Sequence, residues 1–405
     1  MSVSHPKSAW PRLPTGQPAL IDGGILMKRS NTIVILMACA ICAQTSFSQN
    51  NPDAGPAPKR PTGLKDAYAG KFLIGAAGDL RGYSEAELAH IKLHYNVITP
   101  ENCMKPQLIH PSEDTYNWAT ADALVRWCQD NNIKVWGHTL VWHAQTGRWF
   151  FEPGADGQPA PRELVLERLK KHIFSVVGRY KGRLIGWDVV NEAIADVGNG
   201  QTENLRSSSW YRIVGPEVLT LAFKWAHEAD PSAQLYYNDY GIEQGAVQGR
   251  GKHASSLLLL KRLLKEGAPI HGVGIQGHWS LNVNLAEVEK AIENYAALGL
   301  KVSISELDLT VTGDNTGAFP FRGRAYAEPV SDEAFKRQAE VYGKLFELFS
   351  RHANHIFRVT FWGTSDRRSW RWWQQPLIFD RQLQPKLAFQ AIVQAAERHG
   401  ASSQP

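Results

Sequence analysis

Short apolar runs alternate along the chain with longer segments in which apolar residues recur every three or four positions. The short runs predict strands at 71–77, 96–102, 134–142, 184–190, 234–240, 272–279, 301–307 and 356–362. The longer segments predict helices at 84–95, 118–130, 162–180, 216–230, 254–267, 285–299, 331–352 and 385–399. The first helix begins with Ser84 and has Glu87 three residues later, which is a capping-box pattern.

Eight strands that alternate with eight helices predict a parallel sheet covered by helices. The number of units favours a closed (β/α)8 TIM barrel, a single α/β domain over residues 64–400. A doubly wound open sheet is the alternative. No G-x-G-x-x-G follows the first strand, where "IGAAGDLRG" is the nearest approach, and the sequence has no P-loop.

The first 63 residues do not follow this alternation. Residues 27–48 have a basic start, the apolar run "TIVILMACAICA" and a small, polar end, which is the order of a secretory signal peptide. We expect residues 1–26 to be an upstream extension from a misassigned start and residues 49–63 to be a disordered linker. The protein is therefore expected to be secreted or periplasmic, and a lipoprotein anchor at Cys39 is the alternative. No later stretch is long and apolar enough to predict a membrane span.

Composition narrows the class of partner. The first 48 residues contain four basic and one acidic side chain, so only +2 of the net charge of +5 belongs to the remainder. That excess is too small to predict a nucleic-acid partner. The 14 tryptophans suit either core packing or stacking on the apolar faces of sugars. Cys103 and Cys128 lie on different predicted elements, and we expect buried free thiols there rather than a disulfide.

Polar or aromatic side chains stand at the carboxyl ends of seven consecutive predicted strands. In chain order they are Glu101, Asn102 and Lys105; His138, Trp142 and Gln145; Asn191 and Glu192; Asn238, Asp239 and Tyr240; Gln276 and His278; Glu306 and Asp308; and Trp362. Catalytic residues of a barrel gather at this edge. Strand alternation predicts that Glu192 shares a face with Asp188 and Val190, so Asn191 points the other way unless the backbone turns there.

A carboxylate pair is the most prominent chemistry at this edge. Glu192 and Glu306 end the fourth and seventh predicted strands, which can face each other across the mouth of a barrel. Acetal cleavage needs one protonated carboxyl group, and one ionised group that attacks the sugar or activates water. We expect His278 to keep Glu306 ionised. Glu192 is expected near Trp142 and Trp279, less well solvated, where it would keep its proton longer.

Other chemistries have weaker signals. Neither H-x-H nor H-E-x-x-H occurs, and His138 and His143 lie on opposite faces of one predicted strand. The G-x-S-x-G motif of serine hydrolases is also missing from the sequence. We therefore predict no metal and no cofactor. A metal-dependent hydrolase and a carbohydrate-binding protein on an inactive barrel stay open as alternatives.

Seven motifs together resemble glycoside hydrolase family 10, the barrel-type endo-β-1,4-xylanases. In order, from about residue 64 to 398, they are "TPENCMK", "GHTLVWHAQ", "WDVVNEA", "YYNDYGIE", "GIQGHW", "SISELDL" and "TFWGTSDRRSW". The resemblance implies a retaining double displacement on the xylan backbone, with Glu192 as the general acid/base and Glu306 as the nucleophile. It also implies xylan or xylo-oligosaccharides as substrates, and we expect a monomer.

The same resemblance implies the supporting and binding residues. They are His278 and Asp308, which hold the nucleophile; Asn191, which binds the sugar 2-hydroxyl; His138 and Gln276 at that subsite; Glu101, Asn102, Lys105 and Gln145 at the next sugar toward the non-reducing end; Trp142, Trp362 and Trp370 as aromatic walls; and Asn238 and Tyr240 on the leaving-group side.

Two features leave the identity of the substrate undecided. Another β-1,4-glycan is an alternative, and Lys105 and Trp370 would decide it by excluding the C6 hydroxymethyl group that xylose lacks. The segment "RRSWRWWQQP" departs from the family pattern and either closes the non-reducing side of the cleft or packs its own loop. Its extra residues are Arg367, Arg368, Trp372 and Trp373.

Overall fold

The computed structural model describes residues 63–152, 160–196, 200–312 and 330–401. The predicted upstream extension and signal peptide, and residues 49–62 of the predicted linker, lie outside these described residues. The strands are β1 (Leu73–Ala77), β2 (Val97–Thr99), β3 (Lys134–Trp142), β4 (Gly186–Asn191), β5 (Gln234–Asp239), β6 (Gly272–Ile275), β7 (His278–Ser280), β8 (Lys301–Thr310) and β9 (Ile356–Phe361). The helices are α1 (Leu64–Ala67), α2 (Glu85–His94), α3 (Pro106–Ile109), α4 (Ala119–Asp130), α5 (Arg162–Arg179), α6 (Ser209–Val214), α7 (Glu217–Ala229), α8 (Gly251–Lys265), α9 (Leu285–Ala296), α10 (Asp332–Arg351) and α11 (Leu387–Ala401).

The strands form a closed parallel barrel. Consecutive strands pair from β1 to β6, β6 pairs with β8, β8 pairs with β9, and β9 returns to β1. This ring excludes the open sheet and confirms the predicted (β/α)8 barrel. Because the carboxyl ends of all these strands meet at one rim, the polar strand ends are brought together there.

The sixth predicted strand is interrupted and forms both β6 and β7. Gly277 lies in the gap with a φ of 81°, and a Cβ atom on it would come within 3.0 Å of Ile304 Cγ2. Both facts favour glycine at this position. After the gap, β7 pairs with the end of β8 and places His278 opposite Asp308.

The eight predicted helices are confirmed as α2, α4, α5, α7, α8, α9, α10 and α11. In the capping box of α2, Ser84 N donates to Glu87 Oε2 at 2.7 Å and Glu87 N donates to Ser84 Oγ at 3.3 Å. The short helices α1, α3 and α6 were not predicted, because four to six residues are too few to show a helical period.

Apolar side chains fill the space between the barrel and its helices in one continuous core. A smaller cluster of Val97, Trp136 and Tyr236 is formed by barrel strands alone. Cys103 and Cys128 are buried and unpaired, as expected. Within the described ranges, no helix combines the length and hydrophobicity that a membrane span requires.

Candidate active site

A cleft of about 610 Å³ opens at the carboxyl ends of the strands. Fourteen of the sixteen predicted site residues line it: Glu101, Asn102, Lys105, His138, Trp142, Gln145, Asn191, Glu192, Tyr240, Gln276, His278, Glu306, Trp362 and Trp370. The other two, Asn238 and Asp308, are fully buried and contact cleft residues from behind. The fold therefore gathers residues from seven strand ends into one site.

Glu306 is held at the centre of this cleft by two donors. Its Oε1 accepts a hydrogen bond from Asn238 Nδ2 at 2.8 Å, and its Oε2 lies 3.2 Å from His278 Nε2. Burial alone raises the pKa of Glu306, but the His278 hydrogen bond and the nearby histidine charges outweigh burial and hold its pKa below the ordinary value. Glu306 is therefore ionised at neutral pH, as a nucleophile must be.

His278 joins Glu306 to Asp308. Its Nδ1 lies 2.9 Å from Asp308 Oδ2, so both ring nitrogens face carboxylate oxygens. Burial alone lowers the pKa of His278, but Asp308 and Glu306 outweigh it and raise the pKa to about 9. An imidazolium can donate to both carboxylates at once, whereas a neutral imidazole donates only one hydrogen bond. Asp308 also accepts from Trp370 Nε1 at 2.9 Å, which ties the cleft wall to the same group.

Glu192 is held by neutral donors. Trp142 Nε1 donates to its Oε2 at 2.7 Å, and Gln276 Nε2 donates to its Oε1 at 2.9 Å. Trp279, which was expected near Glu192, lines the same cleft and donates its Nε1 to Glu243 at 3.0 Å. The side chain of Glu192 is 11% exposed, so it reaches the cleft while staying largely shielded from water.

A bulge and a turn at the end of β4 explain how Asn191 and Glu192 both reach the cleft. The pairing of β4 with β5 shifts between Asp188 and Val190, which inserts one residue and reverses the alternation. Glu192 then adopts a left-handed φ of 56°, at a cost of about 1–2 kcal/mol for a residue other than glycine. Strand alternation predicted that Asp188, Val190 and Glu192 share one face. That prediction is wrong, because the bulge reverses the alternation.

An amide network joins the surroundings of the two carboxylates. Ser305 Oγ donates to Asn238 Oδ1, which fixes the orientation of the Asn238 amide. Asn238 Nδ2 is therefore a donor, and it bonds both to Glu306 Oε1 and, at 2.8 Å, to Asn191 Oδ1. Asn238 was expected to bind substrate on the leaving-group side. It has no exposed surface and contacts Glu306 instead, which indicates a positioning role for it.

Lys105 organises the neighbouring part of the cleft. Its Nζ donates to Asn102 Oδ1 at 3.1 Å and to Gln145 Oε1 at 3.0 Å, and it lies 5.1 Å from the centre of the Trp142 ring. Burial lowers the pKa of Lys105 and raises that of Glu101, which shares this side of the cleft. These donors, acceptors and the ring provide a surface suited to hydroxyl groups and an apolar sugar face.

His138 is fixed from below by a carboxylate. Its Nδ1 lies 2.9 Å from Asp188 Oδ2, and Trp136 Nε1 donates to Asp188 Oδ1 at 2.8 Å. Trp362 packs edge-on against His138, with 5.3 Å between the ring centres. Asp188 therefore orients a ring that lines the site, although it does not line the cleft itself.

Some residues of the cleft were not among the sixteen predicted site residues, although Trp279 was expected near Glu192. They are His143, Asp196, Arg206, Gly241, Glu243, Gln244, Lys252, Trp279 and Arg371. Most of them lie beyond a strand end, in a loop or at the start of a helix, where no periodic signal marks the direction of a side chain. Three of them could have been found from the quoted motifs. His143 follows Trp142 and Trp279 follows His278, and Glu243 comes three residues after Tyr240.

The "RRSWRWWQQP" segment divides between the cleft and the loop. Trp370 and Arg371 line the cleft, and the Arg371 guanidinium stacks 4.5 Å from the centre of the Trp370 ring. Arg368 instead pairs with Glu87 of α2. Trp372 packs edge-on against Trp373, with 5.9 Å between ring centres. Three of the four extra residues thus pack the loop or tie it to α2, and Arg367 is exposed.

The fold and site define a class of protein: a (β/α)8 barrel whose cleft, at the carboxyl ends of the strands, contains Glu306 beside an imidazolium and Glu192 beside neutral donors. Residues 63–395 match the model of Glycosyl hydrolase family 10. The chain therefore belongs to glycosyl hydrolase family 10.

Proteins named as xylanases are similar to this chain over most of its length. Endo-1,4-beta-xylanase B of Paenibacillus barcinonensis is 41% identical over 342 residues, which cover 82% of this chain and 97% of that protein. Endo-1,4-beta-xylanase A of Caldicellulosiruptor sp. is 38% identical over 82% of this chain, and this chain spans only 47% of its length. A crystal structure of the intracellular xylanase TsXylA of Thermoanaerobacterium saccharolyticum, a mutant in complex with xylotriose, matches with a TM-score of 0.73 and 38% identity over 83% of this chain and 99% of that one.

Proposed function

We propose that this protein is a retaining endo-1,4-β-xylanase in which Glu306 is the nucleophile and Glu192 the general acid/base. One observation carries the assignment. Among the carboxyl groups of the cleft, Glu306 and Glu192 have unlike donors, an imidazolium for Glu306 and neutral N–H groups for Glu192. Such a difference separates the roles that a two-carboxylate glycosidase needs.

The reaction proceeds in two displacements. In the first, a Glu306 oxygen bonds to the anomeric carbon while the bond to the leaving oxygen breaks and Glu192 gives that oxygen its proton. In the second, water attacks the anomeric carbon, Glu192 takes a proton from the water, and the bond to Glu306 breaks. Each step inverts the anomeric carbon, so the product keeps the β configuration.

We also propose which residues of the cleft bind the xylan chain. The sugar next to the cleaved one, on its non-reducing side, is proposed to bind Glu101, Asn102, Lys105 and Gln145. Asn191, beside Glu192, is proposed to bind the 2-hydroxyl of the cleaved sugar.

Aromatic walls complete the proposed cleft. Trp142, Trp362 and Trp370 are proposed to cover the sugar faces, and Tyr240 to contact the sugar on the leaving-group side. The proposed xylan substrate accords with relatives named as xylanases and with the xylotriose complex of one of them.

A comparison of products from glucuronoxylan and cellulose tests the substrate. We expect xylo-oligosaccharides from the internal cleavage of glucuronoxylan, and little soluble sugar from cellulose. Comparable release from cellulose would favour another β-1,4-glycan as substrate. Proton NMR of the first products tests the stereochemistry, since retention produces the β-anomer first.

Secretion is proposed from the sequence of residues 27–48. Amino-terminal sequencing of the protein from its native culture tests this proposal, since cleavage after Ser48 would make Gln49 or a close neighbour the first residue.

A further inference from the structure

We propose that Arg206 is a positioning residue for Glu192, because it holds the backbone turn that carries the Glu192 carboxyl group to the cleft. No role was assigned to Arg206 by the sequence. The inference rests on the proposed function, since its consequence is seen only if Glu192 protonates the leaving group.

The turn at Glu192 is held on both sides. Its backbone N–H donates to Asn238 O at 2.8 Å, which anchors the preceding peptide unit to β5. Its carbonyl oxygen accepts from Arg206 Nε at 3.2 Å. Glu192 has a left-handed φ of 56°, a conformation that persists only where the surroundings hold it. Arg206 provides the hold on the carbonyl side.

The chain itself brings Arg206 back to this turn. Ile194 and Leu205 form an isolated antiparallel bridge. On either side of it, Arg206 N donates to Ala193 O at 2.7 Å and Ala195 N donates to Asn204 O at 2.8 Å. These backbone bonds pair residues 193–195 with residues 204–206 and place the Arg206 side chain beside the strand end.

The guanidinium of Arg206 makes several further bonds. Its Nη2 donates to Ile194 O at 3.0 Å, to Asp196 Oδ1 at 3.1 Å and to Tyr240 OH at 3.0 Å. The side chain is 20% exposed, and Asp196 balances its charge. A planar guanidinium presents several donors in a fixed geometry, whereas a lysine ammonium is a flexible point charge that cannot reproduce the pattern.

Arg206 acts through the backbone and not on the carboxyl group. The two Glu192 carboxyl oxygens are occupied by Trp142 and Gln276. Loss of Arg206 therefore leaves these direct donors in place but releases the carbonyl that fixes the turn. The predicted consequence is a misplaced acid, with Glu306 and its partners undisturbed.

Leaving-group dependence separates this role from a general structural one. We would measure kcat/KM of Arg206→Gln on two aryl β-xylobiosides, one with phenol and one with dinitrophenol as the leaving group. We expect a loss of about tenfold to hundredfold on the phenyl substrate, the size that a small misplacement of a catalytic group produces. Dinitrophenolate leaves without a proton, so kcat/KM on the dinitrophenyl substrate should change by less than about threefold. Arg206→Lys should show the same selective pattern with a smaller loss of kcat/KM. This variant tests the proposal if Arg206→Gln does not fold.

Arg262→Gln is a matched control. The side chain of Arg262 is also 20% exposed, and it pairs with Glu203, in the segment that leads to Arg206, and with Glu266. It has no bond to Glu192, so kcat/KM on both substrates should stay within about threefold of wild type. Equal losses on the two substrates in the Arg206 variants, or no loss on the phenyl substrate, would overturn the inference.

Glu192→Ala, measured in parallel, separates the inference from the function on which it rests. A selective loss on the phenyl substrate in Glu192→Ala, without one in the Arg206 variants, overturns only the role of Arg206. If Glu192→Ala itself shows no selective loss, the proposed function fails.

Discussion

Glu306 and Glu192 both line the cleft, but they differ in the charge of the histidine beside each of them. Glu306 lies 3.2 Å from an imidazolium, so its protonation would break an ion pair. The nearest histidine to Glu192 is His143, with 3.9 Å between Nδ1 and Oε2. Burial, followed by the charge of Arg206, lowers the pKa of His143 to about 4, so this ring is neutral at neutral pH. Glu192 therefore has no imidazolium beside it, which suits the acid/base role proposed for it.

The largest effect is expected from Glu306, because a nucleophile, the role proposed for it, has no substitute. Glu306→Ala should lower kcat/KM on the order of 10⁴-fold or more on both phenyl and dinitrophenyl xylobiosides. Glu306→Gln keeps the size of the side chain and should lose as much, because the amide is not a nucleophile. Circular dichroism would verify that both variants fold. Activity within tenfold of wild type in a folded variant would remove Glu306 from its role.

Glu192 should show a smaller and selective effect. Glu192→Ala should lose about 10²- to 10⁴-fold in kcat/KM on the phenyl substrate, the usual contribution of a general acid. On the dinitrophenyl substrate the same parameter should stay near wild type, since that leaving group needs no proton. If the losses on the two substrates were equal, the contrast between the carboxyl groups would not reflect acid catalysis.

The smallest effect is expected from His278, and it depends on pH. His278 has a pKa raised from 6.5 to about 9, so it binds a proton more tightly in the folded state than in the unfolded state. Its contribution to stability is complete below about pH 6.5 and is lost as pH rises through about 9. The Tm of wild type should therefore fall more between pH 6.5 and pH 10 than the Tm of His278→Gln.

Arg351→Gln is the control for this measurement. Arg351 Nη2 also contacts a carboxylate, 2.9 Å from Glu289 Oε1, and it lies outside the cleft. A guanidinium stays protonated in proteins, so the pH profile of Tm for Arg351→Gln should run parallel to that of wild type. Parallel profiles for His278→Gln and wild type would mean that His278 is not held as an imidazolium.

Local patterns were enough to predict most of the barrel. The capping box of Ser84 and Glu87 is a contact between near neighbours, and apolar spacing marks a helix or strand whatever its partners are. The alternation of β8 likewise placed Glu306 and Asp308 on one side. These features depend on a few adjacent residues, which is why the sequence is sufficient for them.

Features that depend on a distant strand were not predictable in this way. The bulge in β4 arises from its pairing with β5, and it changes which face Asn191 occupies. Asn238 was placed in the cleft by its position at a strand end, but Ser305 and Glu306 bind it behind the cleft wall. Arg206 reaches Glu192 through a loop whose path has no periodic signal.

By itself, the sequence determined the alternation of strands and helices and the set of polar residues at the strand ends, because both depend on side-chain type and spacing. The tertiary structure decided which of those residues face the cleft and which support it from behind. It also paired Glu306 with an imidazolium and Glu192 with neutral donors. The physical reason is that direction and ionisation are set by neighbours from other strands, which barrel closure brings together.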